Sequence, residues 1–255
     1  MTGPTPAGLA LALDDAARAA RPIPPLTDAA PLGLAEAYGV QRLATERRCA
    51  RGESVVGVKM GFTSRAKMAQ MGVDDLILGR LTDAMAVEDG GTLDTGGLIH
   101  PRIEPEIAFL LGSPLSGRVS PYEAARAVSA VAVAYEVLDS RYQDFRFTLP
   151  DVIADNASAA AFGVGPWHDP VDVANLGLVL EIDGRTAETG SSAAVLGHPL
   201  RALAAAARLA GTAGTGLEAG WIVLAGAATT AVPLPRRAHV KVASARLGRV
   251  EVTTR

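Results

Sequence analysis

The pattern of hydrophobic and polar positions differs between the start and the rest of the chain. An alanine- and leucine-rich stretch begins near Thr5 and Pro6, and proline suits the first turn of a helix. Residues 32–50 carry Leu34 and Tyr38 on one side, as an amphipathic helix would. Arginines near the end of this segment complement the negative end of a helix dipole. The first fifty residues therefore predict two helices.

Beyond residue 50 the hydrophobic pattern indicates mostly strands. Residues 54–63 are β-branched and apolar around a lysine, residues 102–111 form an apolar run that begins beside two acids, and residues 131–138 indicate a buried strand. From residue 163 onward, short strand candidates alternate with turn signals, and few helices intervene. The pattern predicts an α+β fold with a rolled or barrel-like mixed sheet.

We expect the chain to divide near residue 90. Residues 1–90 would form an N-terminal helical region and a flap, and residues 91–255 a mixed β-roll catalytic region, although the two can count as one domain. The flap is predicted from residues 72–90, a mixed apolar and acidic connection with an apolar segment at 77–81. Such a segment is suited to closing over a site and excluding water.

Composition and charge narrow the class of protein. The 255 residues are 49% hydrophobic and 20% charged, with a net charge of -3 and with acids and bases intermixed. This balance argues against a nucleic-acid-binding surface, so we expect a small-molecule or protein partner. Cys49 is the single cysteine, which excludes an internal disulfide and a multi-thiolate metal site and indicates a reducing cytoplasm. The sequence shows neither a signal-peptide layout nor an apolar run of membrane-spanning length.

Two acids at the start of an apolar run are the first candidate for chemistry. On an extended strand Glu104 and Glu106 point to one face, while Pro105 and Ile107 point to the other. Neighbouring like charges repel unless a cation lies between them, so the pair indicates either a solvated strand end or a metal site. Glu136 lies within an apolar run, where a carboxylate is costly unless it is paired or coordinating. These acids form an all-oxygen set suited to magnesium, manganese or calcium.

Other side chains give weaker signals. Lys59 shares a strand face with Gly57 and Gly61, so backbone or a ligand could approach its amine, although a strand lysine is often a surface residue. The four histidines show no paired metal-ligand spacing. The sequence contains no phosphate-binding loop, dinucleotide fingerprint or serine-nucleophile elbow. The acidic set therefore stays the main candidate site.

Four short motifs follow one another at residues 59–63 (KMGFT), 102–108 (RIEPEIA), 136–141 (EVLDSR) and 152–158 (VIADNAS). In this order they resemble motifs of the fumarylacetoacetate hydrolase superfamily, in its hydratase/decarboxylase branch. Each motif is weak by itself, but together they are specific. The resemblance covers about residues 55–162, and the first fifty residues contribute little to it.

The resemblance implies a mixed β-roll with an N-terminal helical region, a Mg2+ or Mn2+ ion, and 2-oxo acid substrates that bind through the ion. Glu104, Glu106 and Glu136 match the ligand positions, with Asp139 as a rival for the third place. On a regular strand Asp139 would face away from Glu136, so both are not expected to bind one ion directly.

The same resemblance implies roles around the ion. Lys59 would be the active-site cation or proton donor, and burial that lowered its pKa would favour proton transfer. Asn156 and Ser158 would contact the substrate or the lid. Ile77 and Leu78, in the predicted flap, would also contact the substrate.

Finer features favour a decarboxylase within the branch. Acylpyruvate-type hydrolases of the superfamily use an N-terminal His-Glu pair to activate water, whereas no histidine precedes His100 here. The related hydratases carry an acid two residues before the flap glycine, where this chain has Ile77 before Gly79. Residues 57–83 resemble decarboxylases that convert 2-oxohex-3-enedioate (4-oxalocrotonate) to 2-hydroxypenta-2,4-dienoate and CO2 in catechol meta-cleavage degradation.

Two alternatives stay open at this point. One is the 2-hydroxypenta-2,4-dienoate (2-oxopent-4-enoate) hydratase of the next pathway step. The other, of a different class, is a non-catalytic partner subunit of a decarboxylase-hydratase complex. In either case the resemblance implies a homo-oligomer, with association between the decarboxylase and the hydratase of the pathway.

Overall fold

The chain begins with helices and continues as strands of two mixed sheets. The computed structural model describes residues 5–64, 68–69, 73, 75–212 and 214–255. The helices are α1 (Pro6–Ala19), α2 (Leu34–Cys49), α3 (Pro121–Ala127), α4 (Leu149–Ala154) and α5 (Pro199–Thr212). The strands are β1 (Val55–Gly61), β2 (Ile77–Thr82), β3 (Gly91–Leu93), β4 (Arg102–Leu111), β5 (Val128–Leu138), β6 (Ala159–Val164), β7 (Gly177–Ile182), β8 (Arg185–Ser191), β9 (Ile222–Ala227), β10 (Val232–Pro233), β11 (His239–Ser244) and β12 (Gly248–Thr254).

The two sheets face each other across one apolar core. The first has the order β2-β1-β9-β4-β5-β6, with β10 paired to β4, and the second has the order β3-β12-β11-β7-β8. The pairs β1·β9 and β3·β12 are parallel, which makes both sheets mixed. Ile103, Phe109 and Val137 of the first sheet share the core with Leu178 and Val240 of the second. The predicted α+β class with a rolled mixed sheet is confirmed.

The two predicted N-terminal helices are confirmed as α1 and α2. Thr5 caps α1 by accepting a hydrogen bond from the Gly8 N–H at 3.2 Å, and a proline occupies the first turn. A second apolar cluster joins α1, α2 and α4, with Leu13, Val40 and Ile153 buried in it. The helices therefore bury one another and cover the β2 edge of the first sheet.

The segment predicted to be an apolar flap is a strand instead. Ile77–Thr82 forms β2, which pairs antiparallel with β1, and its Ile77, Leu78 and Leu81 are 3%, 5% and 1% exposed. The prediction was wrong because a short strand that is buried on both faces lacks the polar alternation that marks a strand. Residues 72 and 74 of the predicted flap lie outside the described part of the chain.

Side chains bind the outward backbone groups of β2, the edge strand. The Leu78 N–H donates to the Tyr38 hydroxyl at 3.3 Å, and the Leu78 carbonyl accepts from Gln41 Nε2 at 2.9 Å. Two residues on, the Arg80 N–H donates to Asn156 Oδ1 at 2.7 Å, and Asn156 Nδ2 donates to the Arg80 carbonyl at 2.9 Å. These contacts complete the edge and protect it from pairing with another chain.

The domain division at residue 90 stays a prediction. Strands β1 and β2, which precede residue 90, lie in the same sheet as β4 and β5, which follow it.

Among the described residues, no helix is both long enough and apolar enough to cross a bilayer.

Candidate metal centre

Three buried carboxylates converge on one face of the first sheet. Glu104 and Glu106 alternate along β4, and Glu136 lies directly opposite Glu104 on β5. One oxygen of each carboxylate lies within 4.8 Å of the others. Glu106 and Glu136 are fully buried, and Glu104 is 9% exposed. The interpretation of the acidic pair as a solvated strand end is therefore wrong.

One lysine faces the three acids. Lys59 on β1 is 2% exposed, its Nζ lies 2.9 Å from Glu136 Oε2, and it donates to the Ala157 carbonyl at 3.2 Å. Burial lowers the pKa of Lys59, but the charges of Glu136, Glu104 and Glu106 outweigh burial and raise the pKa above its ordinary value. The lowered pKa that would favour proton transfer is not found, and Lys59 is held as an ammonium ion.

The acids carry more negative charge than Lys59 can neutralise. Burial raises the pKa of Glu106 well above its ordinary range, and the charges of Glu136 and Glu104 raise it further. Burial likewise raises the pKa of Glu136 in spite of its ion pair with Lys59. With all three acids ionised, a single ammonium leaves most of the charge uncompensated in a dry environment. Such a group needs protons or a further cation.

Two carboxylate oxygens of the group receive no hydrogen bond from an amine, amide or hydroxyl of the described residues. Glu106 Oε2 accepts from the Gly226 N–H at 2.7 Å, whereas Glu106 Oε1 and Glu136 Oε1 are buried without such a donor. A hydrogen bond between the two carboxyl groups lowers the pKa of Glu136 and requires a proton on one of them. Unpaired buried oxygens are costly, and hard oxygen donors are the ligands that Mg2+ and Mn2+ prefer. The donor set therefore fits such an ion, which Glu104, Glu106 and Glu136 would hold.

Glycines make room for the charged groups. Gly79 lies opposite Lys59 in the β1·β2 register, and a Cβ there would lie 2.9 Å from Lys59 Cδ and 2.6 Å from the Asn156 carbonyl oxygen. Gly226 has a φ of 110°, and a Cβ there would meet Thr63 Oγ1 at 2.1 Å. Sequence reasoning missed the hydrogen bond from the Gly226 N–H to the acid, because a backbone donor leaves no residue-type signal.

The segment Asn156–Ser158 passes beside Lys59 in a strained conformation. Its three residues have φ values of 52°, 51° and 60°, in the left-handed region that costs an L-residue about 1 kcal/mol or more. The Ala157 carbonyl accepts from Lys59, and the Ser158 hydroxyl is buried with no partner in the described part of the chain. Neighbouring interactions must hold this conformation.

A buried ion pair holds the start of that segment. Arg141 Nε donates to Asp155 Oδ1, the Arg141 N–H donates to Asp155 Oδ2 at 3.0 Å, and the guanidinium also reaches the Ala159 carbonyl at 3.2 Å. Burial raises the pKa of Asp155 to about 6, although the charge and hydrogen bonds of Arg141 oppose the rise. Both carboxylate oxygens of Asp155 are thus satisfied by protein donors.

Asp139, the rival third ligand, lies outside the carboxylate group. It follows β5, and its carboxylate accepts hydrogen bonds from the Ile99 N–H at 2.9 Å and the His100 N–H at 2.8 Å. The converging oxygens belong to Glu104, Glu106 and Glu136 instead. Asp139 therefore holds the chain segment that leads into β4.

The predicted substrate contacts divide into two groups. Ile77 shares the strand face of Lys59. Ser158 follows Ala157, which accepts from Lys59, and its hydroxyl has no partner among the described residues, so both stay candidates. Leu78 points to the opposite face and cannot line the same site. The Asn156 amide is occupied by the backbone of β2, the segment that was predicted to be a lid.

Comparisons with known sequences match the part of the chain that carries this site. The Fumarylacetoacetate (FAA) hydrolase C-terminal family matches residues 55–255, which include the strands that carry Lys59 and the three acids. A 4-oxalocrotonate decarboxylase of Pseudomonas sp is 55% identical over 247 residues, covering 96% of this chain and 96% of the relative. A 2-hydroxyhexa-2,4-dienoate hydratase of Comamonas testosteroni is 38% identical over 228 residues, covering 87% of this chain and 86% of the relative.

A solved structure is similar over nearly the whole chain. The 4-oxalocrotonate decarboxylase from Pseudomonas putida G7, complexed with magnesium and adipate, has a TM-score of 0.95. It is 39% identical in sequence, and the similarity covers 98% of this chain and 97% of that chain. The fold, the sequence matches and the carboxylate group all point the same way. The chain belongs to the fumarylacetoacetate hydrolase family.

Proposed function

We propose that the protein is a metal-dependent carboxy-lyase that converts 2-oxohex-3-enedioate (4-oxalocrotonate) to 2-hydroxypenta-2,4-dienoate and CO2 in catechol meta-cleavage degradation. The observation that carries the proposal is the buried group Glu104, Glu106 and Glu136 with the Lys59 ammonium beside it. The relative at 55% identity is a decarboxylase, whereas the hydratase relative is 38% identical. The preference for a decarboxylase in the sequence analysis agrees with this difference.

The carboxylate group supports a divalent metal as the cofactor. Mg2+ or Mn2+ held by Glu104, Glu106 and Glu136 would supply a Lewis acid for the C1 carboxylate and the C2 oxygen of a 2-oxo acid. Magnesium has the more direct support, since the similar decarboxylase structure was determined with magnesium and adipate. Adipate is a six-carbon dicarboxylate, like the substrate proposed for this chain.

Lys59 and its neighbours account for the chemical step. Decarboxylation breaks the bond from C5 to the departing C6 carboxylate and moves its electron pair through the C3=C4 bond onto the C2 oxygen. The Lys59 ammonium stabilises the developing charge and donates the proton that gives the enol product. The Ser158 hydroxyl, which has no partner among the described residues, is available to bind the substrate, and Ile77 helps to keep the site dry. The step needs no attacking water.

Two candidate substrates separate the decarboxylase from the hydratase. Protein supplied with Mg2+, or in parallel with Mn2+, is expected to release CO2 from 2-oxohex-3-enedioate and to leave 2-hydroxypenta-2,4-dienoate unconsumed. Consumption of the dienoate alone would support the hydratase. Undiminished CO2 release after exhaustive chelation would contradict the metal dependence.

Assembly and location form the rest of the proposal: a cytoplasmic homo-oligomer that associates with the hydratase of the pathway. The alternative, a non-catalytic partner subunit, conflicts with the presence of Lys59 and all three acids in one buried group. Light scattering and co-purification with the hydratase test the assembly. If Glu106→Gln left the CO2 release of the assembled complex unchanged, the non-catalytic alternative would be favoured.

A further inference from the structure

A small cavity lies on the far side of β1 and β2 from Lys59. In the β1·β2 register Lys59 lies opposite Gly79, whereas Arg80 lies opposite Val58, so the Arg80 side chain points to the other face of the sheet. The cavity is bounded by α2, β2 and the end of α5, and its volume is about 190 Å³. It is therefore separate from the candidate metal centre.

The cavity contains an arginine whose guanidinium has no direct partner among the described side chains. Arg80 is half-buried, and its backbone binds Asn156, but no described side chain gives its guanidinium a hydrogen bond or an ion pair. Burial lowers the pKa of Arg80 and the positive charge of Arg42 lowers it further, although Cys49 and Glu46 oppose the change. A partly desolvated cation without a directly bound counter-ion is unfavourable, so this guanidinium favours an anion from outside.

The other walls of the cavity match an organic anion. Arg42 adds a second guanidinium, whose Nη1 donates to the exposed carboxylate of Glu46 at 2.5 Å, and no Asp or Glu is among the described residues that line the cavity. Leu78, Leu209 and the Trp221 ring supply apolar walls beside these charges. A guanidinium binds a carboxylate through two parallel hydrogen bonds, and apolar walls accept the short hydrocarbon stem behind it.

We propose that this cavity is a second binding site, for a small organic carboxylate held by Arg80 and Arg42. The site also has a structural link to Lys59. The Arg80 backbone is bound by the Asn156 side chain, and the next residue, Ala157, accepts the hydrogen bond from Lys59. A ligand on Arg80 therefore acts on the strand that supports the Lys59 contact. The binding claim is independent of the reaction that the metal centre catalyses.

Trp221 provides the readout for a binding experiment. The chain has two tryptophans, so Trp167→Phe leaves Trp221 as the single reporter in the wall of the cavity. Metal-free protein of this variant, with Glu106→Gln added to disable the metal centre, is titrated with butanoate and, separately, with inorganic phosphate. We expect a saturable fluorescence change with butanoate and a weaker response to phosphate.

Variants then assign the binding to the two arginines. Arg80→Met is expected to weaken butanoate binding by roughly tenfold or more, because charge-assisted hydrogen bonds are lost. Arg42→Met, at a more exposed position, should weaken it by a smaller factor without disturbing β2, and Glu46→Gln measures separately the effect of losing the Arg42–Glu46 ion pair. Arg185→Met, an exposed arginine on β8, should have no effect. Absence of saturation, unchanged affinity in Arg80→Met, or tighter binding of phosphate than of butanoate would each overturn the proposal.

Discussion

Two buried charged sites lie beside the segment Asn156–Ser158, and they differ in what neutralises them. At the Arg141–Asp155 pair, protein donors reach both oxygens of the acid. At the candidate metal centre, three acids share one lysine, and buried oxygens of Glu106 and Glu136 receive no amine, amide or hydroxyl donor from the described residues. Burial raises acid pKa values at both sites, so burial alone does not distinguish them.

The difference separates structural from chemical use of buried charge. A carboxylate whose hydrogen bonds are complete holds a chain segment in place and has no capacity left for a ligand. A buried carboxylate whose oxygens lack hydrogen-bond donors destabilises the metal-free fold until a cation binds. The first kind should therefore affect mainly stability when it is altered, and the second mainly activity.

The largest expected effect is the loss of activity when one of the three proposed metal-binding carboxylates loses its charge. Glu106→Gln should lower the rate of CO2 release by a factor on the order of 10³, because it weakens the binding of the metal ion that would stabilise the developing charge. The same change relieves repulsion among buried acids, so the unfolding midpoint of the metal-free protein should not fall. Glu218→Gln, at an exposed position, is the matched control. Full activity in Glu106→Gln would contradict the assignment of a chemical role to these acids.

The next effect is a loss of stability at the neutralised pair. Arg141→Met leaves Asp155 buried without its partner and should lower the free energy of unfolding by about 3–5 kcal/mol, measured by denaturant titration. Arg146→Met breaks an ion pair that is exposed on both sides and should change stability little. Equal effects of the two substitutions would show that burial of the pair does not matter.

The pKa of Asp155 gives a pH-dependent test of the same pair. Its folded pKa of about 6 lies above the ordinary value of 3.8, so its contribution to stability is greatest below the lower value and is lost as pH rises to the higher one. The stability of wild type minus that of Asp155→Asn should therefore fall by roughly 2–3 kcal/mol as pH rises through this window. A difference that is constant with pH would contradict the raised pKa.

The smallest effect separates two neighbours in the strained segment. Asn156→Ala removes two hydrogen bonds to β2 and should lower the free energy of unfolding by about 1–2 kcal/mol. Ser158→Ala removes a hydroxyl without a described protein partner, so it should leave stability nearly unchanged and lower kcat/KM by roughly tenfold. Thermal unfolding and steady-state assays of both variants measure the split. The reverse pattern would exchange the two assigned roles.

The sequence predicted the acidic group because its signals are local. Alternation placed Glu104 and Glu106 on one face, and the apolar neighbours of Glu136 made a solvated position improbable. Lys59 was predicted through its motif. The rolled mixed sheet followed from short strand candidates and turn signals, and the structure confirms it.

Features that depend on distant partners could not be predicted in this way. Residues 77–82 form an edge strand because α2 and Asn156 bind its free backbone groups, and neither contact is visible in a short window. The hydrogen bond from the Gly226 N–H to Glu106 could not be predicted either, because a backbone donor cannot be recognised from the residue type. The Arg80 cavity depends on the face of β2 that meets α2 and α5, which follows only from the assembled sheet.

The parallel strand pairs have a consequence for the order of folding. Residues 57–59 on β1 meet residues 222–224 on β9, and residues 91–93 on β3 meet residues 252–254 on β12. Loops this long must close before their pairings stabilise the chain, which slows folding. On the ribosome the edges of β1 and β3 that pair with β9 and β12 would stay open until those strands had been synthesised, and unpaired strand edges favour aggregation. Metal acquisition would then follow chain completion, because Gly226 on β9 holds one of the acids.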